Sequence, residues 1–240
     1  MPNLRMEDGR EPPDESLQAI PESEVTFGER IRSGMKAAGE KVLPKKVIQE
    51  VRKYRSFAGI ERSLCLKMKV LNGIGLANPK RLRPPKGARS FVFVCFGNIM
   101  RSPMCEALMN RALAAVPDKG ITVTSAGLNA APGRAAHVWA VAAARELGIS
   151  LENHRAKLLT ADMVNQADVV FAMDYQNQVQ LVSRYSRAKH KIFMLGVYAG
   201  DDNRVVEILD PYYAGEEGTR DCYRILSTCI RNLVNSLSDE

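Results

Sequence analysis

The chain has 240 residues, 45% of them hydrophobic, with 34 Lys+Arg against 27 Asp+Glu and a formal net charge of +7. No apolar run approaches the ~18 residues needed to span a bilayer, and the charged, proline-bearing N-terminus lacks the apolar core of a secretory signal. Five cysteines (Cys65, Cys95, Cys105, Cys222, Cys229) without CxxC or zinc-type spacing fit neither a disulfide framework nor a metal site, so reduced thiols and a cytoplasmic location are expected.

The charge is unevenly spread, and this suggests how the chain is organised. Residues 1–29 carry two basic and eight acidic side chains, a net of −6; residues 30–88 carry sixteen basic and three acidic, a net of +13; residues 89–240 carry sixteen of each. The acidic stretch 1–29, with Pro12, Pro13, Pro21 and few apolar anchors, is expected to be disordered. Within 30–88, Val47, Val51, Tyr54 and Ala58, then Ile60, Leu64, Met68 and Leu71, recur every three to four residues among lysines and arginines. That pattern predicts a basic amphipathic helix, weakened at Gly59, so the extension has helical character. Such a helix could lie on an anionic membrane surface or contact an acidic partner; equally, it could pack on the following domain and keep a solvated face. No aromatic-rich motif accompanies the basic residues, so nucleic acid is not an expected partner. Pro79 to Ala88 reads as a stiff basic linker and places a domain boundary near residue 88.

From residue 89 onward strand and helix patterns alternate. Strands are predicted at Ser90–Phe96, Ile121–Ser125, Asp168–Met173 and Lys191–Leu195, and helices at Ser102–Ala115, Ala135–Leu147, Thr160–Gln166, Tyr175–Ser186 and Glu217–Leu237. Four strands joined by helical crossovers imply an α/β fold, a four-stranded parallel sheet with helices on both faces, whose ligands bind beyond the carboxyl ends of the strands.

Cys95 ends the first of these strands, and five residues later Arg101 stands at a helix start followed by Ser102 and Pro103. A loop of that length, Phe96, Gly97, Asn98, Ile99 and Met100, can turn its N–H groups inward around one anion while both side chains face it. A thiol at a helix N-terminus beside an arginine ionises readily and becomes a nucleophile, with Ser102 able to donate a hydrogen bond to the sulfur. A thiolate that takes a phosphoryl group needs an acid for the leaving oxygen. Asp210, held extended by Pro211 in a loop before the last helix, can supply it, and Tyr212 and Tyr213 can wall an aromatic leaving group.

The order Val94-Cys95-Phe-Gly-Asn98-Ile-Met-Arg101-Ser102-Pro103, then Ser125-Ala-Gly127, then Leu147 to Thr160 around His154, then Phe171-Ala-Met-Asp174 and Asp210-Pro211-Tyr212, resembles the low-molecular-weight protein tyrosine phosphatases. The resemblance covers residues 89–240 and implies their flavodoxin-like fold. It implies that Cys95 attacks phosphorus, that Arg101 and the amides of Phe96 to Arg101 hold the phosphate oxygens, that Asp210 acts as acid and then base, and that Asn98 braces the loop through Ser125 and His154. No metal or organic cofactor is implied. The implied partner is a phosphotyrosine protein, with a bacterial tyrosine kinase as one candidate. Departures are equally informative: Met100 stands where many relatives carry a second cysteine, Ile99 stands where those acting on phosphoarginine carry threonine, and Leu128 to His137 lacks the large aromatic many members place in that loop. Cys105, further along the helix, is the remaining candidate for a redox partner. An arsenate reductase on the same fold is the rival reading, with Cys222 and Cys229 as a cysteine pair seven apart, although core packing explains that spacing more simply.

Overall fold

Alternating side chains make Ser90–Cys95, strand β1, the centre of the sheet: Phe91, Phe93 and Cys95 face one side, Val92 and Val94 the other, and both faces are buried. The structure is a computed structural model describing Val70 and residues 83–115, 120–200 and 207–238, all within the unit Lys53–Glu240. The expected acidic tail 1–29, all of the basic amphipathic helix except Val70, and the first residues of the linker lie outside the described residues.

Strands β2 (Thr122–Gly127), β3 (Val169–Ala172) and β4 (Ile192–Met194) join β1 in the order β2-β1-β3-β4, every pair parallel. The α-helices that follow β1 among the described residues are α1 (Arg101–Leu113), α2 (Val138–Glu146), α3 (Ala161–Gln166), α4 (Tyr175–Arg184) and α5 (Gly215–Ser238). On the Phe93 face lie α1, α2 and α5, contributing Met104, Leu108, Ala140, Tyr223, Leu226, Ile230 and Leu233. On the Val92 face lie α3 and α4, contributing Val164, Val179 and Leu181. The long α5 buries Cys222, Tyr223, Leu226, Cys229, Ile230 and Leu233, a three-to-four-residue stripe that becomes core because the sheet supplies an apolar surface. Ile225 falls outside this stripe and is exposed.

Local chemistry sets the element boundaries. The predicted second strand runs two residues further, to Gly127, because parallel pairing continues to the register Cys95↔Gly127. The second predicted helix starts at Val138 rather than Ala135, since His137 is extended and caps it through Nδ1. Thr160 and Asp174 cap α3 and α4 in the same manner. Tyr185 breaks the predicted helix through Ser186, and the chain tightens into a 3₁₀ turn over Ser186–Lys191. The start of β1 is pinned to the start of β3 by the Asp168 carboxylate, which accepts from Arg89 N (2.8 Å) and Ser90 N (2.9 Å). Among the described residues, no helix is long and apolar enough to cross a membrane.

Candidate active site

The carboxyl end of β1 delivers Cys95 directly into the loop Phe96–Met100, and α1 begins at Arg101. Asn98 takes the left-handed conformation (φ 52°), which asparagine tolerates better than most side chains and which turns its amide inward. That amide donates to Cys95 Sγ at 3.2 Å. Ser102 Oγ lies 3.1 Å from the same sulfur, with either group able to donate, and donates to Ala126 O at 3.2 Å. The sulfur is therefore buried beside an inward amide at the mouth of a helix N-terminus.

The loop is clamped from three directions. Asn98 Nδ2 donates to Ser102 Oγ and Ser125 Oγ, both at 2.9 Å, while its Oδ1 accepts from Lys157 N at 2.7 Å. His154 Nε2 is 2.7 Å from Asn98 O. Beneath the loop, Tyr223 OH on α5 donates to Met100 O at 3.0 Å. Ser125 in turn donates to Glu106, which also pairs with Lys157 Nζ at 3.4 Å. Gly127 makes room for all of this: a Cβ there would lie 2.8 Å from Asn98 N and 2.9 Å from Gly97 C.

Arg101 is almost fully buried, 1% exposed, and is held by acidic groups rather than by solvent. Nη1 donates to Asp174 Oδ2 at 2.7 Å and to Ile208 O at 2.9 Å, and Nη2 donates to Asp210 Oδ2 at 2.5 Å. Burial by itself would lower the guanidinium's pKa, but Asp210, Asp174 and Cys95 outweigh it and push the pKa well above its ordinary value. Arg101 Nε is buried with no protein acceptor. Asp210 is about one-third exposed, and its Oδ1 accepts from Tyr212 N at 3.2 Å. The structure thus brings Cys95, Asn98, Arg101, Ser102, Ser125, His154 and Asp210 into one network. Phe96 is exposed at its rim, Ile99 and Met100 are buried in the hydrophobic core, and Tyr212 and the exposed Tyr213 stand beside Asp210.

Several contributors escaped the sequence reading. Asp174 is the plainest: it ends the motif Phe171-Ala-Met-Asp174 without a role assigned to it, although it follows β3 at the carboxyl end of the sheet, the same topological position that pointed to Cys95. The Ile208 carbonyl carried no sequence signal, because any residue has one. Glu106 and His137 lie on helical patterns whose facing partners only the fold supplies. The other described cysteines, Cys105, Cys222 and Cys229, are free and buried. Burial, with Cys229 and Cys222 nearby, pushes Cys105 well up, and burial pushes both Cys222 and Cys229 to about 12. Among the described residues no cluster of His, Cys, Asp and Glu could hold a metal ion.

The profile of the low molecular weight phosphotyrosine protein phosphatase family matches residues 90–240. The probable low molecular weight protein-tyrosine-phosphatase AmsI of Erwinia amylovora is 35% identical over 150 residues, covering 62% of this chain and 97% of that protein. A protein-arginine-phosphatase of Bacillus subtilis is 34% identical, covering 62% of this chain and 94% of its own. The crystal structure of the Erwinia amylovora tyrosine phosphatase AmsI superposes with a TM-score of 0.57 at 32% identity, covering 63% of this chain and 94% of that one.

Proposed function

This chain belongs to the low molecular weight phosphotyrosine protein phosphatase family, and on that premise we propose that residues 90–240 hydrolyse phosphotyrosine through a phosphocysteine intermediate. Cys95 Sγ attacks phosphorus in line with the phenolic oxygen. The P–O bond breaks as Asp210 gives its proton to that oxygen, and the phosphoryl group stays on sulfur. Water then attacks phosphorus, Asp210 takes its proton, the P–S bond breaks, and phosphate and the free cysteine are regenerated. Arg101 and the loop amides hold the equatorial oxygens through both steps, and Asn98, Ser125 and His154 keep the loop in that shape. The entering phosphate competes with Asp210 for Arg101 Nη2 and finds Nε unpaired, so substrate binding frees the acid to face the leaving oxygen.

One observation carries the proposal: an inward amide on Sγ, a buried guanidinium and an acid converge on a single loop. The substrate class follows from two features. The loop carries the apolar Ile99, buried in the core, and the aromatic residues His137, Tyr212 and Tyr213 gather beside Asp210. Activity on matched phosphotyrosine, phosphoserine and phosphoarginine peptides tests this reading, with phosphotyrosine expected to be turned over fastest. Cys95→Ser should abolish turnover while oxyanion binding persists. Asp210→Asn should slow poor leaving groups by about 10²-fold or more and activated aryl esters much less. Equal losses on both esters would remove Asp210 from the acid role.

Relay of electrons to arsenate is disfavoured, because it needs accessible thiolates where Cys222 and Cys229 are buried thiols. Thiols that remain free and buried suit a reducing compartment, so we place the protein in the cytoplasm. The basic stretch 30–88, net +13, fits recruitment to an anionic membrane surface or an acidic partner such as a tyrosine-phosphorylated kinase.

A further inference from the structure

Four rings stand in a row beside the acid loop. Trp139, His137, Tyr212 and Tyr213 have successive centroids 4.8, 5.4 and 5.0 Å apart, tilted or edge-on at 57°, 66° and 83°. These spacings and angles are those of favourable aromatic pairs.

His137 is the fixed member of the row. Its N–H donates to Ile99 O, a carbonyl of the nucleophile loop, at 2.9 Å, and its own carbonyl accepts from Val141 N at 3.0 Å. Its Nδ1 accepts from Trp139 N at 3.3 Å as the cap of α2. With Nδ1 an acceptor, the imidazole is neutral and carries its proton on Nε2. Burial and the neighbouring Arg134 lower its pKa below the ordinary 6.5, which keeps that state at neutral pH. Tyr212 is held differently: its amide binds Asp210 Oδ1, and its ring meets His137. His137 therefore links the loop that carries the nucleophile to the loop that carries the acid, at the place where the stretch Leu128–His137 has no large aromatic of its own.

We propose that His137 is a specificity-determining residue: tied to Ile99 and packed edge-on to Tyr212, its ring holds Tyr212 beside Asp210, where a leaving group would sit, and selects phosphate carried on an aromatic ring over phosphate on an aliphatic chain. This rests on the phosphatase reading above and deepens it by naming what reads the aryl group. A wall of fixed rings offers an aromatic carrier stacked or edge contacts at little ordering cost, and an alkyl chain gains less from it.

Two substitutions separate the ring from the cap. His137→Asp keeps an N-cap acceptor and removes the ring, whereas His137→Phe keeps a ring and removes the acceptor. Competitive inhibition by phenylphosphonate and by butylphosphonate, measured on the full chain, reads the aryl preference without a leaving group. In His137→Asp the phenyl-to-butyl preference should fall about three- to tenfold, with KM for p-nitrophenyl phosphate rising more than kcat falls. His137→Phe should restore the preference despite melting at a lower temperature. An unchanged preference in His137→Asp, or a preference His137→Phe does not restore, would overturn the inference. Wild-type protein that does not hydrolyse aryl phosphates at all would instead overturn the phosphatase reading on which the inference stands.

Discussion

At the scale of single residues, Arg101 shows how a buried charge is kept and put to use. A guanidinium that is 1% exposed is kept by Asp210 and by Asp174, itself 1% exposed and paired with it at 2.7 Å, while the Ile208 carbonyl accepts a further hydrogen bond. Asp174→Asn keeps the shape and the amide cap on Asn177 but removes the charge. Unfolding should be easier by about 3 kcal/mol, and kcat/KM should fall at least about tenfold as Arg101 turns to Asp210. Denaturant titration together with steady-state kinetics checks both, and wild-type behaviour in each would show that Asp174 does not set the guanidinium. Gly127 is constrained by space. A methyl group there meets backbone atoms of Asn98 and Gly97, which cannot swing aside as a side-chain tip could. Gly127→Ala should cost about 1–3 kcal/mol and depress kcat more than KM, because the amide on Sγ is displaced. A kcat within error of wild type would show that the loop absorbs the methyl group.

At the scale of elements, β1 was legible from Phe91 to Cys95 because every residue is buried and the alternation assigns one side chain to each core. Its start is held electrostatically. Asp168 has a pKa below the ordinary 3.8, chiefly through hydrogen bonds from the Arg89 and Ser90 amides. A carboxylate whose pKa is lower in the folded state contributes stability above its unfolded pKa, and that contribution is lost as pH falls through the folded value. Asp168→Ala should therefore cost on the order of 1 kcal/mol at pH 7, a modest figure because solvent screens the exposed group. The gap from wild type should close in urea titrations near pH 3 or below, and a gap that persists there would assign the loss to packing. The pattern predicts a start of α2 at Ala135 because Ala135 and Ala136 are good helix formers, whereas the helix begins at Val138. What displaced the boundary was His137, whose amide is claimed by Ile99 of a loop distant in sequence.

At the scale of the whole molecule, residues 90–240 account for nearly the full length of the relatives they match, so catalysis should not need what precedes them. The described end of the linker nonetheless touches this domain. Arg83 sits 5.2 Å from the centre of the Tyr198 ring, and Ala88 is buried in the larger core. Removal of residues 1–82 should leave kcat/KM on p-nitrophenyl phosphate within about twofold. Extending the deletion through Ala88 should lower stability by about 1 kcal/mol. Either truncation should weaken association with anionic vesicles at low salt if the basic stretch 30–88 recruits membranes, and unchanged binding would refute that role.

From its residues alone, this chain specified the strand and helix order, the loop from Cys95 to Arg101 and the carboxylate of Asp210 as its companion, because periodicity, loop length and turn chemistry are local properties. What surrounds Arg101 and Tyr212 was decided only in three dimensions. Asp174, the Ile208 carbonyl, Gly127 and His137 are far from the Cys95 loop in sequence, and they matter because parallel strands deliver their carboxyl ends to one edge of the sheet. Pairing across that edge is a property of the folded chain, and no local pattern encodes it.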